Sequence, residues 1–242
     1  MSQNIPDFRS GVIKSVDCLK EGYALIKDQY WLFLGITVVG LLIGGAVPIV
    51  LIGPMMCGIH MCLLQKMHGQ QVKFETLFKG FDYFTQSLIT SLIQFIPIFF
   101  MIIAFYILFL AMFFGLAATQ QGGGDPGVAI GMFFVIFVGF LILMFVTALI
   151  QSFFTFSYPL IVDKKLSGMD AVKGSVNAVK ANFAGVFGLV LINFALSIVG
   201  LFFCYVGAFL VMPITMASYT VAYRKVFPEG FGEPAVPQPW QA

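Results

Sequence analysis

The sequence predicts an all-α integral membrane protein with a six-helix transmembrane bundle, and three observations support this fold class. Only 10% of the 242 residues are charged and 60% are hydrophobic, whereas water-soluble domains contain roughly 25% charged residues. Four blocks contain no Asp, Glu, Lys or Arg, at 29–65, 83–124, 126–162 and 181–223, and each exceeds the about 20 residues of a helical span. None of them alternates in polarity as the strands of an outer-membrane barrel do, so helices are expected.

The composition also excludes other classes of protein. A formal net charge of +2 provides no basic surface for phosphates, so no nucleic acid is expected as a partner. The four cysteines, Cys18, Cys57, Cys62 and Cys204, are scattered along the chain, and we interpret them as small core residues rather than as a disulfide framework. The lipid bilayer is the expected surrounding of so apolar a chain.

The first uncharged block is predicted to form a hairpin of two short crossings, at 30–43 and 49–66. Gly44, Gly45 and Pro48 lie near its middle, where a helix is most easily broken.

The remaining blocks complete the count of crossings. The last block is long enough for two, at 183–199 and 202–222. The central helices, 83–162, contain two runs of about 35 apolar residues, which correspond to about 50 Å of helix each. One long crossing is predicted for each run, with the polar, glycine-rich stretch 119–127 as the turn between them. The total is six; eight crossings, with each central run folded as its own hairpin, is the alternative.

The positive residues predict the orientation. All 13 Lys and Arg residues fall in five groups, at 9–27, 66–79, 164–165, 173–180 and 224–225. In the six-crossing topology every group lies on one side, and the loops on the other side contain a single charged residue, Asp125. By the positive-inside rule, both termini are expected to be cytoplasmic and the protein to reside in the cytoplasmic (inner) membrane. With eight crossings the Asp125 loop would be cytoplasmic as well.

An internal repeat is predicted within one membrane domain, 1–227, in units at about 12–67 and 168–226. Residues 17–30 match 170–183 at a constant offset of 153. Further matches keep an offset of 159, Pro54 with Pro213 and Lys66 with Lys225. Because polar residues stay in register with the hairpins, we interpret the pattern as a duplication of an amphipathic cytoplasmic-face helix followed by a hairpin.

The two amphipathic helices have recognisable faces. In the first, apolar residues recur at helical spacing and the charged residues are expected to face away. The apolar set is Val12, Val16, Leu19, Tyr23 and Ile26, and the charged set is Lys14, Asp17, Glu21 and Asp28. The second helix opens with Ser167 and Asp170 in capping-box spacing, and Val172, Val176 and Val179 share one face. Both helices are expected to brace the bundle at the interface.

Three segments resemble a known group of sequences. They are GQQVKFETLFKGF at 69–81, YPLIVD at 158–163, and the positions Ala171, Val172, Lys173, Ser175, Val179 and Asn182. Together they resemble a large group of uncharacterised bacterial multi-pass membrane proteins, and also the membrane region that some glycerophosphodiester phosphodiesterases carry ahead of their catalytic domain. The resemblance covers about 15–227. It implies a structural membrane domain and transfers no catalytic residue to this chain.

The inventory of reactive groups disfavours chemistry in the membrane. Within the four uncharged blocks the single ionisable residue is His60, and intramembrane carboxylates or histidine clusters are what proton-driven carriers and membrane proteases use. No enzymatic activity, catalytic residue or cofactor is therefore expected.

The second crossing contains a soft-ligand pattern. Met56, Cys57, His60 and Met61 share one helix face, and thioether, thiolate and imidazole groups are ligands that Cu(I) prefers. The favoured interpretation is packing, because Met and Cys are common in helix bundles and no acid stands near His60 to orient it. A copper protein is thus an alternative function, and no metal site is assigned.

Uncharged polar residues form a second candidate site. Gln86, Thr90 and Gln94 recur at four-residue steps, and Asn193 lies in the fifth crossing. We expect them to hydrogen-bond across helices, and the alternative is a groove for a substrate.

The leading functional hypothesis is a non-enzymatic accessory, scaffold or assembly subunit of a membrane complex. It would contact a protein partner, or a second copy of itself, through apolar helix faces. The proline-rich tail 228–242, with Pro234 and Pro237 in P-x-x-P spacing, is a further candidate for partner docking. The alternative functions are a channel or carrier for a neutral or lipid-like molecule, and the copper protein.

Overall fold

The computed structural model describes residues 6–121, 126–202 and 206–228, and all regular structure in these ranges is helical. The α-helices are α1 (Ser15–Ile26), α2 (Tyr30–Ala46), α3 (Ile52–Met67), α4 (Phe84–Gln121), α5 (Pro126–Ser152), α6 (Ser157–Lys164), α7 (Gly168–Ala181), α8 (Phe183–Phe202) and α9 (Val206–Val226). Two 3-10 helices lie at Lys27–Gln29 and Phe74–Tyr83. The all-α prediction is confirmed over the described part of the chain.

Four helical stretches in the described residues are long and apolar enough to cross a bilayer. They are Ser15–Ala46, Phe74–Gly115, Ile130–Lys164 and Phe183–Gly200. A buried water-soluble core would not leave such stretches uncovered, and the most apolar 18 consecutive residues within Phe74–Gly115 and within Ile130–Lys164 include no buried residue. The chain is accordingly a helical membrane protein.

The first hairpin forms where it was predicted, but its glycines have a different role. Helix α2 continues to Ala46, and the turn at 47–51 contains Pro48 and an Ile49 with a φ of 65°. Gly44 therefore lies inside α2. A Cβ atom at Gly44 would stand 2.8 Å from Ile52 Cδ1, so this glycine permits α3 to pack closely against α2 and does not break the helix.

The central helices differ from the prediction at one end. Helix α4 is continuous despite Pro97 inside it, and α5 is continuous as well, so neither folds as its own hairpin. The expected long second crossing is interrupted, because α5 ends at Ser152 and α6 begins at Ser157. The expected glycine-rich turn lies partly outside the described residues, at 122–125.

A side chain of α7 stabilises the break between α5 and α6. The Ser175 hydroxyl accepts a hydrogen bond from the Phe156 backbone N–H at 3.0 Å and donates one to the Phe153 carbonyl at 2.7 Å. These backbone groups lie where helical hydrogen bonding is interrupted, and a buried hydroxyl satisfies them. The break lies inside the uncharged block 126–162, so the charge pattern did not reveal it.

The last hairpin consists of α8 and α9. The predicted loop around Cys204 lies outside the described residues, at 203–205, and so does most of the predicted docking tail, at 229–242.

The chain divides into two compact units, and the larger comprises Met1–Leu92 with Ser152–Ala242. Its core includes an aromatic cluster in which the ring centroids of Tyr223 and Phe227 are 5.3 Å apart and Phe156 contacts both rings. Helix α1 packs most extensively against α9, and α8 packs against α9 as well.

The predicted face of α1 is wrong in part. The structure buries Cys18, Gly22, Leu25 and Ile26, whereas Val16 and Tyr23 are 52% and 51% exposed. Small residues form this contact because α1 packs very closely on the α9 backbone. A Cβ atom at Gly22 would be 2.7 Å from the Ser218 backbone N. The apolar pattern alone does not distinguish a side chain that faces protein from one that faces lipid.

The α7 prediction fares better. Ser167 is the N-cap residue, and its hydroxyl accepts a hydrogen bond from the Asp170 backbone N–H, as the capping spacing predicted. Val172 and Val179 are buried, and Val176 is half-buried.

The smaller unit is Ile93–Gln151 and consists of the apolar parts of α4 and α5. The two helices contact each other through Phe105 and Phe140, whose ring centroids are 5.4 Å apart. Large apolar side chains on both helices are exposed, among them Phe114, Phe134 and Val135 at 65%, 65% and 69%.

Candidate functional site

The lower part of the predicted polar stripe on α4 binds the start of α7. Gln86 Oε1 accepts a hydrogen bond from the Gly168 backbone N–H at 2.8 Å, and Thr90 Oγ1 is 3.3 Å from the Gly168 carbonyl. The first N–H groups of a helix have no partner within the helix. Gln86 therefore satisfies a group that α7 cannot satisfy itself, and fixes this helix end against α4.

The upper end of the stripe, Gln94, lies in the smaller unit and bonds to α5. Gln94 Nε2 donates to Gln151 Oε1 at 2.7 Å, and Gln151 Nε2 donates to the Gln94 carbonyl at 3.4 Å. Paired side-chain amides of this kind hold two apolar helices together in a bilayer. The three stripe residues thus make the cross-helix hydrogen bonds that the first interpretation predicted.

Asn193 is not part of the same constellation. Its Nδ2 donates to Ser218 Oγ of α9 at 3.1 Å, and both residues are buried. The sequence grouped Asn193 with the α4 stripe as one candidate groove, whereas in the structure the stripe bonds to α7 and α5 and Asn193 bonds to α9.

His60 is buried between α3 and α9. Its Nδ1 lies 2.9 Å from Thr220 Oγ1, and the Thr220 hydroxyl donates to the Met216 carbonyl at 3.0 Å. With the single Thr220 hydroxyl proton directed at Met216, the ring nitrogen is the donor, so His60 carries a proton on Nδ1. His60 acts here as a helix-to-helix hydrogen-bond donor.

The soft-ligand pattern around His60 is part of the core. Met56 and Met61 pack against the hydrophobic core, and Cys57 is fully buried in it. Within the described ranges, no group of three or more His, Cys, Asp and Glu side chains is placed to hold a metal ion. These contacts are those of packed core side chains, and the copper alternative stays a prediction.

An ionic cluster escaped the sequence reasoning. Asp163, in the last turn of α6, accepts hydrogen bonds from two side chains of α9. The donors are Tyr223 OH at 2.7 Å and Arg224 Nη2 at 3.1 Å. The side chains of Asp163 and Arg224 are only 13% and 8% exposed. The signal in the sequence was an acid directly after one apolar run and an arginine directly after another. Without the fold, the sequence does not show that these two residues pair.

Two further ion pairs join α1 and its following turn to the ends of the hairpins. Lys225 Nζ is 2.6 Å from Glu21 Oε1, and Lys66 Nζ is 2.6 Å from Asp28 Oδ2. The two lysines are the residues that the sequence comparison pairs at an offset of 159. Two of the acids predicted to face away from the bundle are therefore bound to it.

A cleft of about 200 Å³ lies at the junction of α7 and α8, where Gly11 and Ile13 face residues 181–185. Asn182 organises this junction, since its Nδ2 donates to the Arg9 carbonyl at 2.9 Å and its Oδ1 accepts from the Val12 N–H at 3.3 Å. The segment ahead of α1 is thereby fastened across the bundle, and the Arg9 N–H also donates to the Val226 carbonyl at 2.8 Å.

Comparison of the chain with models of protein families gives no match, and comparisons with curated proteins and with solved structures give none either. The resemblance to the membrane region of glycerophosphodiester phosphodiesterases therefore stays a prediction.

Proposed function

We propose that this protein is a non-enzymatic multi-pass membrane protein that acts as a scaffold or assembly subunit, and that the smaller unit, Ile93–Gln151, is the surface on which another membrane protein assembles. The observation that supports this most directly is the use of the interior polar residues. Gln86, Gln94, Asn193 and His60 each bond to a neighbouring helix. A carrier needs such groups free to contact its substrate.

The smaller unit has the properties of a contact surface. Its two helices expose large aromatic and branched side chains, and the membrane-length windows through them are 0% buried. Lipid covers such a surface at no energetic cost, and another transmembrane helix that packs against it gains van der Waals contact. In the sequence, α4 and α5 lie between the two proposed repeat units, and a helical hairpin inserted at this point is a simple way to present such a surface.

We further propose six crossings, formed by α2, α3, α4, α5, α8 and α9, with both termini cytoplasmic. In this topology the lysine- and arginine-bearing segments all lie on one side, as the positive-inside rule requires. Helices α1, α6 and α7 and the 3-10 helix Phe74–Tyr83 then lie at the cytoplasmic face. At 16 residues, α3 spans about 24 Å and is the shortest of the six crossings.

The proposed duplication is supported by the helix boundaries. Helices α2 and α8 begin at Tyr30 and Phe183, 153 positions apart, and α3 and α9 end at Met67 and Val226, 159 positions apart. These are the two offsets found in the sequence.

Site-specific photo-crosslinking in the native membrane tests the proposed contact surface. A benzoylphenylalanine would replace Phe114 or Phe134 on the smaller unit, and matched controls would replace Trp31 or Phe194, which are exposed aromatic residues of the larger unit at 75% and 59%. All four changes exchange one aromatic side chain for another.

The expected result is a protein adduct of defined mass from Phe114 and Phe134 and lipid adducts alone from Trp31 and Phe194. Lipid adducts at all four positions would overturn the proposal. An identical protein adduct at all four positions would also overturn it, because contact would then not be specific to the smaller unit. An adduct with the mass of two copies of this chain would show that the partner is a second copy, so the proposed role in a complex with another protein would be replaced by homo-oligomerisation.

A further inference from the structure

The outward faces of α1 and α7 carry the same residue pattern. On α1 and the turn after it, Val16, Lys20 and Lys27 are exposed, and on α7, Met169, Lys173 and Lys180 are exposed. Each of the three pairs keeps the offset of 153. Steps of four and eleven residues return to nearly the same side of a helix at 3.6 residues per turn, so each set forms one stripe with an apolar residue and two lysines.

The contacts of the neighbouring acids explain why lysines dominate the charge of the outward faces of α1 and α7. Glu21 and Asp28 are bound to Lys225 and Lys66 at the ends of α9 and α3, and Asp170 accepts the Ser167 hydroxyl at the α7 N-terminus. The acids that appeared to balance the lysines in the sequence are thus largely occupied by internal contacts. Among the described residues, Lys20, Lys27, Lys173 and Lys180 form no ion pair.

The depth of the stripes follows from the helices that come next. Lys27 is three residues ahead of Tyr30, the first residue of α2, and Lys180 is three residues ahead of Phe183, the first residue of α8. Both following helices belong to stretches apolar enough to cross a bilayer. A lysine so close to the start of an apolar crossing lies at head-group level, where its methylene stem contacts apolar surface and its amine contacts the polar layer.

We infer that the two stripes bind the phosphate groups of anionic phospholipids, with Val16 and Met169 inserted beside them into the interface. The complementary charge, the equivalent exposure in both repeats and the position at head-group depth all favour this partner. The α7 stripe is the stronger of the two, because Asp28, which is 57% exposed, directly follows Lys27, whereas Ala181 follows Lys180. This inference does not depend on the proposed complex.

Electron paramagnetic resonance with spin-labelled lipids tests it on the full-length protein in phosphatidylcholine bilayers. The measured quantity is the protein-associated fraction of spin-labelled phosphatidylglycerol relative to that of spin-labelled phosphatidylcholine. The variant pair is Lys173→Gln with Lys180→Gln. The control pair, Lys73→Gln with Lys79→Gln, removes the same charge from exposed lysines that have Glu75 and Asp82 as exposed neighbours.

The expected result is a preference for phosphatidylglycerol that falls by up to about fivefold for each lysine removed from α7, and that persists in the control pair and in Lys173→Arg with Lys180→Arg. A preference that the α7 pair leaves unchanged, or that both pairs reduce equally, would overturn the inference. Inorganic phosphate and chloride at equal ionic strength are expected to weaken the preference equally by screening. A loss specific to inorganic phosphate would identify a soluble-phosphate site instead and would also overturn it.

Discussion

Asn193 on α8 and Ser218 on α9 form a buried hydrogen bond of 3.1 Å, and the residues at offsets of 153 and 159 from them are Gly40 and Ile59. These counterparts also contact each other, since a Cβ atom at Gly40 would lie 3.0 Å from Ile59 Cδ1. One hairpin therefore uses a polar pair where the other uses a large side chain packed on a glycine. This shared contact, at matching positions in α2–α3 and α8–α9, provides support for the proposed duplication beyond the offsets.

A double-mutant cycle measures the polar pair. Asn193→Ala, Ser218→Ala and the double variant would be unfolded in mixed micelles by raising the fraction of a denaturing detergent. We expect a coupling free energy of about 0.6 kcal/mol, the usual value for such bonds in membrane proteins. A coupling indistinguishable from zero would show that the hydrogen bond contributes nothing to stability.

The buried ion pair is expected to be the most sensitive polar contact. Asp163→Asn removes the carboxylate that pairs with Arg224, which is 8% exposed, and removal of one member of a buried pair costs about 3–5 kcal/mol. Asp28→Asn removes the same charge from a pair in which Asp28 is 57% exposed, and a cost of at most about 1 kcal/mol is expected there. Thermal unfolding in detergent compares the two variants, and equal losses would contradict the assigned burial.

Two glycines provide a matched test of helix packing. Gly22→Ala places a methyl group against the Ser218 backbone, with no flexible side chain to yield, and a loss of about 1–3 kcal/mol is expected. Gly45→Ala is made in α2 where no atom lies within 4 Å of the new Cβ, so it is expected to be neutral or to stabilise by up to about 1 kcal/mol through helix propensity. Unfolding midpoints in the same detergent compare the stability of the two variants. The prediction fails if Gly22→Ala is as stable as Gly45→Ala.

The proposed orientation can be measured by labelling. Single cysteines would be introduced as Lys173→Cys and Pro48→Cys after replacement of the native cysteines by alanine. A membrane-impermeant maleimide is expected to label Lys173→Cys only from the cytoplasmic side and Pro48→Cys only from the opposite side, because an odd number of crossings separates the two positions. Labelling of both from one side would rule out the six-crossing topology.

The sequence predicted those features of the fold that depend on average polarity. The uncharged blocks predicted where the apolar helices lie, and the capping spacing predicted the start of α7 at Gly168. Polarity did not reveal the end of α5 at Ser152, because two backbone groups of that break are satisfied by a hydroxyl from α7, which is distant in the sequence.

The candidate sites were predicted less completely. The contacts of Gln86 and Asn193 confirm that polar residues in these helices bond to neighbouring helices, but their separate partners required the fold. The pairing of Asp163 with Arg224 joins positions 61 residues apart, and no spacing rule within one helix connects them. The inward direction of Glu21 was hidden for the same reason, since its lysine lies 204 residues away.

The packing of α1 against α9 sets an order of events during synthesis. About 190 residues separate Ser15 from Val206, so α1 leaves the ribosome roughly 10 to 40 s before its principal partner at ordinary translation rates. During that interval Gly22 lacks the Ser218 backbone against which it packs, and Glu21 lacks Lys225. The first helix to be made therefore waits for the last one, and any nascent chain that stops before α9 leaves the side of α1 that packs on α9 uncovered.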